Sequence, residues 1–123
     1  MRRLAVAWFA VAVLGVGCAG PEPEPLVTEV PRGDPDRAHR VFREYGCSSC
    51  HAIPGVRNAD GRIGPPLEDL WERRYIAGRL PNSPENLHRF IRDPQRVAPG
   101  TAMPNTGITE QEAWDAVAFL LSR

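Results

Sequence analysis

Cys47-Ser48-Ser49-Cys50-His51 sets two thiols three residues apart, with an imidazole directly after the second. Three chemistries use such a group. A C-x-x-C pair can serve as a dithiol redox couple or as half of a zinc site. With the following His it becomes the C-x-x-C-H pattern of covalent haem c attachment. The spacing suits that chemistry. Thiols about one helical turn apart can add to the two vinyl groups on one edge of a haem, and the adjoining His then turns its ring toward the iron. A redox pair usually sits in an α/β chain. A zinc site needs further Cys or His at suitable spacing, and the chain has no second Cys pair. Covalent haem c therefore fits the pentapeptide best, with Cys47 and Cys50 as attachment points and His51 as proximal ligand.

A second axial ligand follows by elimination. Met103 is the sole methionine after Met1, and it lies 52 residues beyond His51. It sits in Pro99-Gly100-Thr101-Ala102-Met103-Pro104, an irregular loop able to bring a thioether to the far face of a haem. A loop methionine is otherwise most often a gap filler. The other candidates are His39, on the helix ahead of the haem motif and expected to face solvent, and His88, on a helix. A His/Met pair favours Fe(II) and raises the potential relative to two His ligands. It also fills both axial positions, which argues for an electron carrier and against an enzyme.

These residues need elements to hold them. The pattern predicts an all-α domain of about four short helices. Asp34 is a natural N-cap with Pro35 at the first helical position, and Gly46 is a stop signal, giving a helix over 35–45. A short helix is expected over 67–75. Ser83-Pro84 repeats the cap-then-proline signal for a helix ending before Pro94. Thr109 and Glu112 form a capping box for a last helix over 109–122. Trp114, Val117, Ala118 and Leu121 fall at i, i+3, i+4 and i+7, an apolar face. No stretch reads as a strand pair, and no internal repeat is present.

The start of the chain has a different character. Arg2 and Arg3 precede an apolar run over 4–16, about the length of a signal-peptide core. Gly15 and Gly17 are the small residues ahead of Cys18, so 1–17 reads as a signal peptide. Leu14-Gly15-Val16-Gly17-Cys18 resembles a bacterial lipobox with its Leu one place early, which makes Cys18 the expected lipid attachment site. The rivals are an ordinary cleavage nearby and an uncleaved N-terminal anchor. Residues 18–33 carry Pro21, Pro23, Pro25 and Pro31 among Glu and small residues. Such a segment favours polyproline II and cannot pack a core, so it reads as a tether reaching ~40–50 Å at ~3.1 Å per residue. The folded domain is expected over 34–123.

Composition narrows the function. The 123 residues hold 15 basic and 15 acidic side chains, and every basic one is Arg. A balanced charge gives no support for nucleic-acid binding, which usually needs a basic face. Three cysteines do not make a disulfide framework, which normally shows an even count; one plus a pair with separate tasks fits better. A domain of roughly 90 residues is only marginally stable on its own core, and a bound prosthetic group adds apolar surface to wrap.

With the haem motif, the methionine loop and the terminal helix in this order, residues 34–123 resemble class I, mitochondrial-like cytochrome c. Ala38, Phe42 and Gly46 are similar to the family's first helix, with Ala38 where the family usually has Gly, and Phe119 is similar to an aromatic of its last helix. Ile63-Gly64-Pro65-Pro66-Leu67 resembles the family's Gly-Pro-x-Leu segment. The resemblance implies that the Pro65 carbonyl accepts the proximal His ring N–H, a contact that tunes the metal. It also implies that Arg73, or Arg74 beside it, meets a haem propionate and that Thr101 lies near the inner one. Phe90 stands where mitochondrial members often carry a Tyr beside the Met sulfur. Residues 75–95 resemble, more closely, the cytochrome c domain fused to subunit II of some bacterial haem–copper oxidases. The chain lacks that subunit's copper-binding cluster and transmembrane hairpin.

The expectation is a lipid-tethered monomer on the outer face of the cytoplasmic membrane or in the periplasm. It would take single electrons from a quinol-oxidising complex or dehydrogenase and pass them to a terminal oxidase. Small, weak interfaces are typical of such redox encounters. Two alternatives stay open at this level. One is a fixed haem subunit of a larger oxidase or dehydrogenase complex. The other is a haem peroxidase or gas sensor with a labile Met103.

Overall fold

The computed structural model describes residues 32–122. The expected signal peptide, Cys18 and the tether as far as residue 31 lie outside the described residues. The rest is mostly helical, as expected, with five helical segments: α1 Pro35–Glu44, α2 Cys47–Cys50, α3 Pro84–Arg92, α4 Pro94–Val97 and α5 Glu110–Leu121.

The three longer helices start where their caps require. Asp34 accepts from Asp36 N at 3.0 Å, Ser83 from Asn86 N at 3.2 Å and Thr109 from Glu112 N at 3.3 Å. Each such cap is worth about 1 kcal/mol. Pro35 and Pro84 fill first-turn positions whose N–H would have no partner. Helix α1 ends as expected, because Gly46 turns left-handed at φ 70°.

Two expectations fail between α2 and α3. The helix expected over 67–75 is a single 3-10 turn, Leu70–Glu72. Asp69, just ahead of it, sits at φ 49°, a conformation that a right-handed helix cannot contain. The carbonyls of Pro66 and Glu68 are bonded by the Arg73 guanidinium instead of by helical N–H groups. The second correction is a strand pair where none was expected. β1 Tyr75–Ile76 pairs antiparallel with β2 Leu80–Pro81. The turn between them places Ala77 at φ 49° and Gly78 at φ 64°, and Arg79 N donates to Ile76 O at 2.9 Å. Two positive φ values in a row make a type I′ turn, usually signalled by Asn-Gly.

Helices α1 and α5 form the main packing unit. Ala38, Val41 and Phe42 of α1 are buried against Ala113, Trp114, Val117 and Ala118 of α5. The Phe42 and Phe119 rings meet edge to face at 5.3 Å, and His39 meets Phe119 in the same way at 5.0 Å. His39 is thus half-buried against α5 rather than turned to solvent. The expected apolar face of α5 is fully buried, but the buried surface is wider: every residue from 113 to 121 except Phe119 is buried. The helix meets α1 on one side and α3 on another, so a single stripe is not enough.

Asp115 is the one buried charged residue among the described residues. It accepts from Asp34 N at 2.9 Å, from Arg37 Nε at 3.0 Å and Nη2 at 3.3 Å, and from Gln111 Nε2 at 3.0 Å. The incoming chain is fixed to α5 by these bonds and by a close approach at Gly33, where any side chain would collide with the Trp114 carbonyl.

Candidate functional site

Gly46 reverses the chain after α1 and leads directly into the one-turn helix α2. That turn puts Cys47 and Cys50 on one wall of a cavity of about 320 Å³. Neither thiol is in a disulfide. Burial pushes the Cys47 thiol above its ordinary pKa, with the neighbouring Cys50 adding to the effect. A thiol that stays protonated is a poor redox nucleophile. Among the described residues, no cluster of three or more His, Cys, Asp or Glu converges as a metal-ion site would. Neither the dithiol nor the zinc alternative gains support.

The loop after α2 is built around His51. Gly64 N donates to Cys50 O at 2.8 Å and Leu67 N to Ala52 O at 2.8 Å, so residues 61–67 run directly beneath the pentapeptide. His51 Nδ1 lies 2.7 Å from Pro65 O. A carbonyl only accepts, so Nδ1 carries the proton and the Nε2 lone pair is left free for a metal. Gly64 makes this fit possible, since a Cβ there would collide with the His51 ring. The resemblance had implied the contact to Pro65; the need for Gly64 is visible only in the fold.

Met103 lines the same cavity, together with Thr101 of its loop. Phe42, Leu70, Leu87, Ile91 and Leu120 supply an apolar wall, and Ile63 and Tyr75, both largely exposed, also line the cavity. Arg73 and Pro65 line it too. The Arg73 guanidinium donates to the Pro66 and Glu68 carbonyls. Phe90, at its Tyr-like position, is another lining residue. The fold thus gathers Cys47, Cys50, His51, Pro65, Arg73, Thr101 and Met103 around one space. His88 is not among the lining residues. It stacks on Trp114 at 4.1 Å, and its Nε2 lies 3.1 Å from Glu110 O.

Tyr45 and Gln95 were not singled out in the sequence. Tyr45 lines the cavity and donates its hydroxyl to Glu112 Oε2 at 2.6 Å. Thr109 Oγ1 donates to the same oxygen at 2.5 Å. The bonds from Thr109 and Tyr45, with Arg40 nearby, hold the Glu112 carboxyl below its usual range. The same bond to Glu112 pushes the Tyr45 phenol up. Gln95 bonds the methionine loop from α4. The only sequence signal for either residue was its place beside a motif.

The donor set suits haem. A largely apolar cavity with two unpaired thiols, one imidazole held in a defined tautomer and one thioether matches a flat apolar macrocycle with an iron centre. Comparison with known proteins agrees. The cytochrome c family model matches residues 35–123. The chain is 39% identical over 88 residues to cytochrome c oxidase subunit 2 of Alkalihalophilus pseudofirmus, covering 71% of this chain and 25% of that protein. It is 30% identical over 111 residues to cytochrome c of Tetrahymena pyriformis, covering 84% of this chain and 99% of that one. It is 29% identical over 106 residues to cytochrome c2 of Rhodoblastus acidophilus, covering 74% and 92%. The chain spans about a quarter of the length of the oxidase subunit and nearly all of the small cytochromes. From the helical fold, the thiol–imidazole wall and these matches together, the chain belongs to the cytochrome c family, with the class I fold and its covalent haem c.

Proposed function

We propose that this protein is a membrane-tethered mono-haem electron carrier that delivers single electrons to a terminal haem–copper oxidase. The observation that carries the reading is the convergence of Cys47, Cys50, His51 and Met103 on one apolar cavity, with His51 Nδ1 already engaged by Pro65. Haem supplies a one-electron iron couple when bound. Cys47 and Cys50 would hold it by thioether bonds, and His51 and Met103 would supply its iron ligands. Pro65 fixes the His51 ring, and Arg73 and Thr101, which line the cavity, would meet its carboxylate edge. The apolar wall excludes water, which limits charge reorganisation during transfer. Because His51 and Met103 would both bind the iron, no open position would be left for a substrate, which supports a carrier.

The oxidase as acceptor is supported by the likeness to a protein named cytochrome c oxidase subunit 2, of which this chain matches a quarter. The tether reading rests on Cys18 and residues 18–33. Among the described residues, no helix is long and apolar enough to cross a membrane. Export followed by lipid attachment at Cys18 would hold the domain at the membrane's outer face. A tether of that length raises the effective concentration at an oxidase without any new contact.

The test uses the full-length, haem-loaded protein and membranes of its own cell. Reduced protein should be reoxidised catalytically by those membranes in a cyanide-sensitive way. Cys18→Ser should move it from the membrane to the soluble fraction with its spectrum unchanged. Cyanide-insensitive reoxidation would remove the oxidase from the account. Co-purification in fixed ratio with an oxidase after detergent extraction would favour a permanent subunit over a carrier.

A further inference from the structure

The loop that carries Met103 has little to hold it by itself. Among the described residues, the only backbone bond within residues 98–105 runs from Thr101 N to Ala98 O at 3.0 Å. Pro99 and Pro104 have no N–H to donate. Gly100 sits at φ 83° and Met103 is only partly buried. The only side-chain bond inside the loop, among the described residues, is a long one from Met103 N to Thr101 Oγ1 at 3.4 Å.

Gln95 supplies what the loop lacks. It stands in the one-turn helix α4, which is anchored by the buried Pro94 and capped by Asp93 through Arg96 N at 3.2 Å. Its side-chain Nε2 donates to Thr101 O and to Met103 O, both at 2.8 Å. Its Oε1 accepts from Gly100 N at 3.3 Å. Its backbone N donates to Asn105 Oδ1 at 3.4 Å. One residue thus reaches four members of the loop, and both of its amide hydrogens are used on carbonyls at and beside Met103. Among the described residues, no other side chain on α3 or α4 bonds the loop. A shorter Asn would not reach both carbonyls, and a carboxylate would have no hydrogen to give them.

We infer that Gln95 is the positioning residue for the Met103 ligand: its amide braces the loop so that the thioether faces the cavity. The inference rests on Met103 being an axial ligand. It predicts that Gln95 controls how readily the thioether leaves ferric iron, while leaving the global fold largely alone. Gln95→Ala removes the brace. Gln95→Glu keeps the size but loses both donors and sets a negative charge against two carbonyl oxygens. Losing two neutral hydrogen bonds should raise the detached population about tenfold.

The test is a pH titration of the weak far-red absorption band that reports thioether sulfur on ferric haem, in the full-length haem-loaded protein. Met103→Ala is the control, and urea unfolding of the helix signal is followed in parallel. The expected result is that Met103→Ala lacks the band, while both Gln95 variants show it but lose it roughly one pH unit lower than the parent. Their urea midpoints should fall far less. A Gln95 titration that matches the parent overturns the inference. So does a parallel fall in both midpoints, or failure of both variants to take up haem, since either makes Gln95 a general structural residue. If Met103→Ala keeps the band, the ligand reading itself falls and Gln95 has nothing to position.

Discussion

At the scale of the residue, the site depends on a few contacts that tolerate little change. His51 is useful because its Nδ1–H donates to Pro65 O, which leaves the Nε2 lone pair free for a metal. Gly64 leaves room for that ring. Gly64→Ala should therefore displace the imidazole, cut the yield of haem-loaded protein and raise the midpoint potential of what remains, since a His that loses its carbonyl partner is a weaker donor to iron. Haem content per protein and a redox titration check both. An unchanged potential and full loading would show that the ring moves without consequence. The thiols, His51 and Met103 were legible in the sequence because each is chemically distinctive and rare in this chain. Gln95 was not, because a glutamine carries no signal of its own. Its role depends on α4 folding back along the loop, which the sequence reading did not foresee. Asn82 makes a similar case: its Nδ2 donates to Leu70 O at 2.7 Å and Arg73 O at 2.8 Å, fixing a turn where the sequence pattern predicts helix.

At the scale of the element, helices α1 and α5 are joined by apolar packing and by two carboxylates. Asp115 is buried, and burial by itself would raise its pKa. The bonds from Asp34 N, Gln111 and Arg37 outweigh that and hold it below the usual carboxylate range. Glu112 is lowered by Thr109, Tyr45 and Arg40. Both groups have a folded pKa below the unfolded one. Their stabilisation is therefore present above the unfolded value, about 4, and is lost as pH falls through the folded value. Urea unfolding of the haem-loaded protein should show stability declining below about pH 4. Asp115→Asn should flatten that decline, and an unaltered acid profile would show that Asp115 is not the group involved. Asp115→Ala should cost about 2 kcal/mol at neutral pH, because it leaves the Asp34 N–H without its partner and removes the bonds from Arg37. Helix starts were legible, since Asp34, Ser83 and Thr109 are strong caps followed by proline or an acidic third position. The aspartate in the middle of the α5 apolar surface was not, because two of its partners, Asp34 and Arg37, lie some eighty residues earlier in the chain.

At the scale of the whole molecule, the domain is a set of short elements packed on a hydrophobic core and arranged around a cavity. Phe42, Leu87, Ile91 and Leu120 come from three different helices, and all face that space. A chain this short buries too little apolar surface to close such a gap unaided. The double variant Cys47→Ala/Cys50→Ala, produced without covalent haem, should keep only part of the helix signal and lose fixed aromatic packing, the behaviour of a molten state. A native-like near-ultraviolet spectrum from that variant would contradict the view that the prosthetic group completes the core. The order of motifs along the chain was enough to anticipate this architecture. The strand pair at Tyr75–Pro81 was missed because its type I′ turn uses Ala77 where asparagine is the usual signal.

The central claim is that one covalent haem is held between His51 and Met103. It is tested most directly by the absorption spectrum of the ferric, full-length protein produced with c-type maturation, beside its Met103→Ala variant. The account predicts covalent haem in both, with the far-red thioether band present in the parent and absent in the variant. A parent without covalent haem, or a band that survives loss of Met103, would contradict it.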